Sequence, residues 1–344
     1  MKNLFYLLLI TLLPLSAAAQ DLNSDSRSGL NLVKPGVRND SPSKGLEVIY
    51  GVRPGFDLGD AETVGTQPIS HFDNLTVKLK IPVIFKPEDF KAVLGIAYNY
   101  EKYLLDNDAA VDVFFKELDN DALKSVRATA YLAKLFDSKI YTVLRLEAAY
   151  NGNFDKFVNF DEQYRIMRAA LIVGYKPSED VEYGFGGFVN QTFRRTTVWP
   201  IIMFNKTFND KWGFESVVPV RLLFRYNQSE NSLFYFGTEF ASREHSLDIL
   251  NSFGLNEVRE TNIFFRRQSV QLNAEWQKQL VGWIWLKAKI GFNYNLDTGI
   301  FQADLIGDDP REATARLPAQ HGPVGRIGLF LSPPKSMMEK AQGN

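Results

Sequence analysis

The sequence contains no cysteine. That excludes disulfides, thiolate metal centres and a thiol nucleophile, and it excludes a lipid anchor carried on a cysteine. It also lacks an excess of either charge, with 39 Lys and Arg against 40 Asp and Glu. A nucleic-acid binder would show a basic face, so that class is set aside. Beyond residue 20 no apolar run reaches the roughly 18 residues a transmembrane helix needs. Only three histidines are present.

What is present is an export pattern, many aromatic rings and a persistent alternation. Lys2 supplies a positive start, Leu4 to Leu15 an apolar core, and Ala17-Ala18-Ala19 a small-residue cleavage site before Gln20. Residues 1–19 therefore read as a signal peptide. Residues 20–44, rich in Ser, Asp, Asn, Gly and Pro, read as a flexible periplasmic lead-in. The folded domain is expected over residues 45–332, with a periplasmic tail over 333–344.

From Gly45 onward side chains alternate with a period of two, the strand signature. Leu75, Val77, Leu79, Ile81, Val83 and Phe85 share one face, against Thr76, Lys78 and Lys80. Leu144, Leu146, Ala148 and Tyr150 oppose Arg145 and Glu147, and Ile284, Leu286, Ala288, Ile290, Phe292 and Tyr294 oppose Lys287 and Lys289. A soluble sandwich alternates as well. Two features favour a membrane barrel. Many segments run to about ten residues, enough to cross a bilayer at a tilt near 45°, where soluble strands average about five or six. Connections also alternate between short ones (Lys86–Asp89, Phe136–Lys139, Lys176–Asp180, Asn209–Lys211, Lys278–Val281) and long ones (54–69, 104–121, 152–162, 244–258, 297–322), the pattern of short periplasmic turns and long outer loops. Phe85, Phe90, Tyr175, Tyr183, Trp212, Trp276 and Trp283 stand beside short turns, where an aromatic girdle belongs.

A plain count gives an odd number of segments, about thirteen, whereas single-chain bacterial barrels are even. A reversal at Pro219, inside Ser216-Val217-Val218-Pro219-Val220-Arg221, restores parity, because proline is disfavoured within a paired strand. The expectation is an all-β, transmembrane, antiparallel up-and-down β-barrel of about 14 strands. Twelve is the alternative, if the first segment stands outside the barrel.

The Ala17-Ala18-Ala19 ending, the lead-in and hairpins such as Phe208-Asn209-Asp210-Lys211-Trp212 and Tyr226-Asn227-Gln228-Ser229-Glu230-Asn231 resemble those of uncharacterised outer-membrane β-barrel families of Bacteroidota. The resemblance spans the mature chain. It implies a Gram-negative outer-membrane location and a barrel fold, and it transfers no active site. Such a barrel would sit among outer-membrane lipid and lipopolysaccharide and be inserted by the barrel-assembly machinery. The tail after Leu331 departs from barrels that end on an aromatic residue.

Charge facing lipid at mid-bilayer costs several kcal/mol, so charged strand residues are expected to face inward. The candidate lumen set is Lys78, Lys80, Arg127, Arg145, Arg168, Arg221, Arg225, Lys287 and Lys289 against Glu101, Glu147, Glu215, Glu239 and Glu275. Paired, they brace a closed interior; unpaired, their basic excess favours anionic solutes. Barrels of 12–14 strands are wider than the roughly eight that side chains alone can fill, so the lead-in is a candidate plug. The histidines, His71, His245 and His321, fall at strand ends or in loops with no nucleophile elbow, metal-binding pair or P-loop beside them. Acidic loops (Asp106, Asp108, Asp112, Glu117, Asp119, Asp121; Asp304, Asp308, Asp309, Glu312) match no EF-hand spacing and read as solvated. No cofactor, metal or enzymatic activity is expected. The leading function is a porin-like passive channel or transporter for small solutes. A surface-interaction barrel with binding loops and a lipid-modifying enzyme are the alternatives. Mass spectrometry of the exported chain is expected to find Gln20 at its N-terminus; a chain that retains residues 1–19 would overturn the export reading.

Overall fold

The computed structural model describes residues 35–60, 65–83, 89–106, 113–193, 196–247, 261–304 and 315–333. The signal region, most of the lead-in, Phe85 and the tail beyond Pro333 lie outside the described residues. Fifteen strands follow one another along the chain: β1 (Leu46–Asp60), β2 (Gly65–Val83), β3 (Phe90–Leu105), β4 (Leu123–Leu135), β5 (Ile140–Gly152), β6 (Arg165–Ser178), β7 (Val181–Gln191), β8 (Thr196–Thr207), β9 (Trp212–Val218), β10 (Arg221–Ser229), β11 (Ser232–Leu247), β12 (Thr261–Val281), β13 (Ile284–Asp304), β14 (Ala315–Arg316) and β15 (Gly322–Leu331). Among the described residues one α-helix, α1 (Val113–Asn120), lies between β3 and β4, and one short 3-10 turn (Glu162–Tyr164) between β5 and β6.

Sequence neighbours pair antiparallel from β1 to β13, and β15 pairs with both β13 and β1, which closes the ring. The two-residue β14 sits above β15 on the same edge of β13. The wall is thus a closed barrel of fourteen strands, β1 to β13 with β15. The reversal expected at Pro219 is there: β9 ends at Val218 and β10 begins at Arg221, and the Val218–Pro219 peptide is cis. Closure gives each of the fourteen wall strands a neighbour on either side, which is how a sheet covers its edges in hydrocarbon.

The alternation becomes an apolar exterior. Val48, Tyr50, Val52, Leu94, Ile96, Leu171, Val173, Phe185, Phe224, Ile290, Phe292 and Ile327 all point outward and are exposed, Ile290 at 70%. Tyr175, Tyr183 and Trp212 stand outward beside short turns, as a girdle requires. The turns are built on side-chain caps. Asp137 Oδ1 accepts the backbone N–H of Lys139 at 2.6 Å and of Ile140 at 2.7 Å, which holds its carboxyl below the ordinary value. Asn209 Oδ1 does the same for Lys211 and Trp212, at 3.0 and 2.9 Å.

The strands outrun their expected bounds at the outer end. Much of 54–69 and parts of 244–258 and 297–322 are strand rather than loop, and β12 and β13 each reach 21 residues. Hydrogen bonding continues above the membrane, but lipid no longer selects one apolar face there, so the alternation that marks a strand in sequence fades. Leu171, 48% exposed on the outer face of β6, gives a test. Leu171→Arg is expected to destabilise the barrel by about 2–4 kcal/mol, read as a lower unfolding midpoint in lipid vesicles; an unchanged midpoint would mean that this face does not meet hydrocarbon.

Candidate functional site

The candidate site is the lumen, and it is organised in three levels. At the level of the short turns, residues 35–44 form a strap along the inner wall. Gly36 N–H donates to Glu182 Oε1 at 2.7 Å, and Arg38 N–H to Glu179 O at 2.8 Å. Gly36 has φ 97°, and a Cβ there would stand 2.6 Å from Asp40 Oδ2, so glycine is required at this bend. Arg38 reaches Asp180 at 2.9 Å and Asp210 at 3.1 Å on the rim. The Arg38 carbonyl accepts from Thr207 Oγ1 at 2.6 Å and Arg225 Nη2 at 3.1 Å, and the Asn39 carbonyl from Asn227 Nδ2 at 3.2 Å. Ser41 Oγ donates to Gln277 Oε1 at 3.3 Å, and Lys44 Nζ lies 5.0 Å from the Phe330 ring centre. The strap so passes from β7 by way of β8, β10 and β12 to β15.

At the middle level stand two charge clusters of different balance. On β4, β5 and β6, Glu147 is shared by Arg168 at 2.7 Å, Arg127 at 3.7 Å and Arg145 in close contact. Lys80 and Arg145 also face the Tyr131 ring, at 5.4 and 5.7 Å. Lys80 and Arg221 form no ion pair among the described residues. Opposite, on β1, β2, β11, β12 and β13, charges alternate in sign. Glu47 meets Lys78 at 3.1 Å and Lys287 at 3.2 Å; Glu275 meets Lys287 at 3.3 Å and Lys289 at 4.0 Å; Lys289 also meets Glu239. One side of the lumen is neutralised and the other is basic.

At the outer level the lumen is roofed. Glu101 is held by Arg243 and, at 3.1 Å, by Arg267, whose guanidinium also donates to the Tyr103 hydroxyl at 2.5 Å. Above them α1 turns inward and buries Phe114, Phe115 and Leu118 against Phe56, Leu58, Ile69, Phe72, Tyr103, Phe265, Ile300 and Leu317. Lys102 Nζ closes the helix C-terminus by donating to the carbonyls of Asp119 and Asn120. The outer end of β11 leans across to β5: Ser246 pairs with Gly152, and Asn151 Nδ2 donates to Glu244 O at 3.0 Å.

Every sequence-predicted lumen residue stands on the inner face of its strand, and they sort into groups that the sequence did not show. Lys78, Glu239, Glu275, Lys287 and Lys289 converge, as do Arg127, Arg145, Glu147 and Arg168. Glu215 and Arg225 instead serve the strap: Arg225, fully buried, bonds Glu215 at 2.8 Å and Thr207 at 2.9 Å as well as Arg38. Glu47, Arg243 and Arg267 were missed. Glu47 and Arg243 lie at the ends of the segments that alternation marks and Arg267 inside one, so their inward parity is the signal that could have found them. The histidines are not brought together. His321 stacks on Tyr294 at 4.0 Å, and His245 is buried under the roof. His71 Nδ1 is 3.1 Å from Ser70 Oγ and its Nε2 is 3.7 Å from Asp73, but the Ser70 hydroxyl donates to Leu104 O. The acidic loops fall partly outside the described residues, and no metal-holding cluster occurs among the described ones.

A closed, lipid-faced ring with a strap at one mouth, a folded roof at the other and charges between them defines a transmembrane β-barrel of filled lumen. The chain belongs to the family of the domain of unknown function DUF6268, whose profile matches residues 94–280. No curated protein matches the sequence. Among solved structures, the chain is similar to a Pseudomonas aeruginosa FadL homologue, at 9% identity and TM-score 0.39 over 84% of this chain and 90% of that one. It is similar to the toluene transporter TodX of P. putida, at 9% identity and TM-score 0.37 over 86% and 91%, and to a mutant Rh. blastica porin, at 6% identity and TM-score 0.24 over 84% and 99%. The likeness is confined to barrel architecture.

Arg225 is the strap's central anchor. Arg225→Ala is expected to cost about 3–5 kcal/mol, because it leaves Glu215 buried without its cation, and to make residues 35–44 cleavable by protease added to the periplasmic side. A strap as protected in the variant as in the parent would show that other contacts hold it.

Proposed function

We propose that this chain is an outer-membrane channel or transporter for small solutes, with a lumen selective for anions. The apolar outer belt and its aromatic girdle suit a bilayer, and the export signal in the sequence directs the chain out of the cytoplasm, which together support the outer membrane, with lipid and lipopolysaccharide around the wall and the barrel-assembly machinery as the route in. The observation that carries the anion reading is the uneven lumen: Arg127, Arg145 and Arg168 share one carboxylate, Glu147, and Lys80 and Arg221 form no ion pair among the described residues, while Glu47, Glu239 and Glu275 are matched by Lys78, Lys287 and Lys289 across the bore. Basic groups of this kind hold an anion without burying it permanently, since each is already hydrated or partly paired. Strap and roof act as gates, because an open bore of this width would leak small solutes unselectively.

In planar bilayers the full chain is expected to conduct weakly, and deletion of residues 35–44 to raise the conductance several-fold with chloride preferred over potassium. Arg145→Glu with Arg168→Glu in the same background is expected to reverse that preference. A strap-deleted barrel that is folded yet ion-tight at every voltage would overturn the channel reading.

A further inference from the structure

The wall is incomplete at one place. β9 has 7 residues and β10 has 9, between β8 with 12 and β11 with 16. The last rungs of this hairpin are Ile202 with Val218 on the β8 side and Arg221 with Glu239 on the β11 side, followed by Phe240 N–H to Val220 O at 2.8 Å. Above them, among the described residues, Thr196–Ile201 of β8 pairs with β7 alone, and the β11 segment beyond Phe240 pairs with β12 apart from the one bridge to Gly152. The hairpin tip stands about 16 Å above its periplasmic turn in an apolar belt about 25 Å tall, and the bare edge of β8 continues for about 14 Å more. At the tip, β8 and β11 are separated by three strand spacings, about 14 Å. The contact of Phe193 with Phe264, ring centres 5.9 Å apart, bridges the top.

Around this frame the in-out alternation fails. Val198, Trp199 and Pro200 are all exposed, as are Val218 to Leu222 and Phe240 to Ser242. Trp199 and Arg221 belong to the inner face by register, yet Trp199 is 54% exposed. Inner-face Trp199 and outer-face Val198 are thus exposed side by side along the bare edge of β8. Bare backbone edges do not persist in lipid unless they line a cavity, and Pro200 removes one donor from the β8 edge. Directly inside lie Thr197, whose hydroxyl donates to Asn190 O at 3.3 Å, then Asn190, which accepts from Arg168 Nε at 2.8 Å, then Glu147. Arg221 stands at the sill.

We propose that the gap between β8 and β11 above the Val218-Pro219-Val220 tip is a lateral entrance, through which a single-chain amphiphile with an acidic head passes from the outer half of the bilayer into the basic side of the lumen. Arg221 and then Arg168 receive the head. Trp199, Val220 and Phe240, apolar and exposed around the frame, receive the tail. This rests on the transport reading and names its solute class. It also gives a route that bypasses strap and roof.

The test uses the full chain in lipid vesicles and 12-bromododecanoate, whose bromine quenches tryptophan. Quenching is expected, and Trp199→Phe is expected to remove its saturable part. Dodecanoate competes; acetate, which lacks a tail, and dodecyltrimethylammonium, which lacks the acidic head, do not. Arg221→Gln weakens binding about tenfold, the loss of one charge-assisted hydrogen bond, and Arg221→Lys restores most of it, which separates head recognition from misfolding. Ala241→Phe, filling the frame without adding a fluorophore, abolishes saturable quenching. Competition by acetate equal to that by dodecanoate, or quenching indifferent to Arg221→Gln and Ala241→Phe, overturns the proposal. Conductance of the strap-deleted chain is read separately. Conductance without amphiphile binding sinks the lateral entrance and leaves the channel, while binding without conductance sinks the channel and leaves the entrance.

Discussion

Hydrocarbon supplies no hydrogen bonds, and the rest of this structure answers that constraint. A polypeptide crossing it as strands must pair every backbone N–H and C=O within the sheet, so the sheet must close on itself. The pairing of β15 with both β13 and β1 does so. Closure in turn fixes the alternation, because each strand then has one lipid face and one lumen face. The same rule makes the short β9–β10 hairpin notable, since it is where two strand edges, those of β8 and β11, run on without partners.

Closure of fourteen strands creates a second problem, an interior too wide for side chains to fill. Three different materials occupy it. Backbone fills the periplasmic end, where the strap's carbonyls at Arg38 and Asn39 take bonds from Thr207, Arg225 and Asn227. Apolar side chains fill the outer end, where α1 inserts Phe114 and Phe115. Ions fill the middle. Buried charges are costly unless matched, and on the β1, β12 and β13 side they are matched nearly one to one. Where Glu147 is surrounded by Arg127, Arg145 and Arg168, and where Lys80 and Arg221 form no ion pair among the described residues, the wall keeps a positive surplus. A surplus that folding does not require is the natural place to seek function, and it lies on the same side of the lumen as the incomplete wall.

The alternating segments named the strands, and the parity of the count located the reversal at Pro219 from a proline that a continuous strand would not hold. Parity also identified which charges face inward, from Lys78 to Lys289. It could not rank them. Arg225 and Arg145 look alike in sequence, yet one clamps a strap that comes from the far end of the chain and the other joins the cluster around Glu147. Glu47, Arg243 and Arg267 share the inward parity of the charges that were named, and only their partners, Lys78 and Lys287 for the first and Glu101 for the other two, mark their place in the lumen.

Local chemistry was therefore enough to determine the class of fold, its orientation of faces and the rough number of strands, since each depends only on a period of two and on turn residues a few positions apart. The partnering of charges, the seating of residues 35–44, the inward turn of α1 and the gap beside β11 were decided by tertiary structure alone. Ring closure brings together residues separated by most of the chain, such as Glu47 and Lys287 or Arg38 and Asp210, and no local pattern in the sequence encodes which of them will meet.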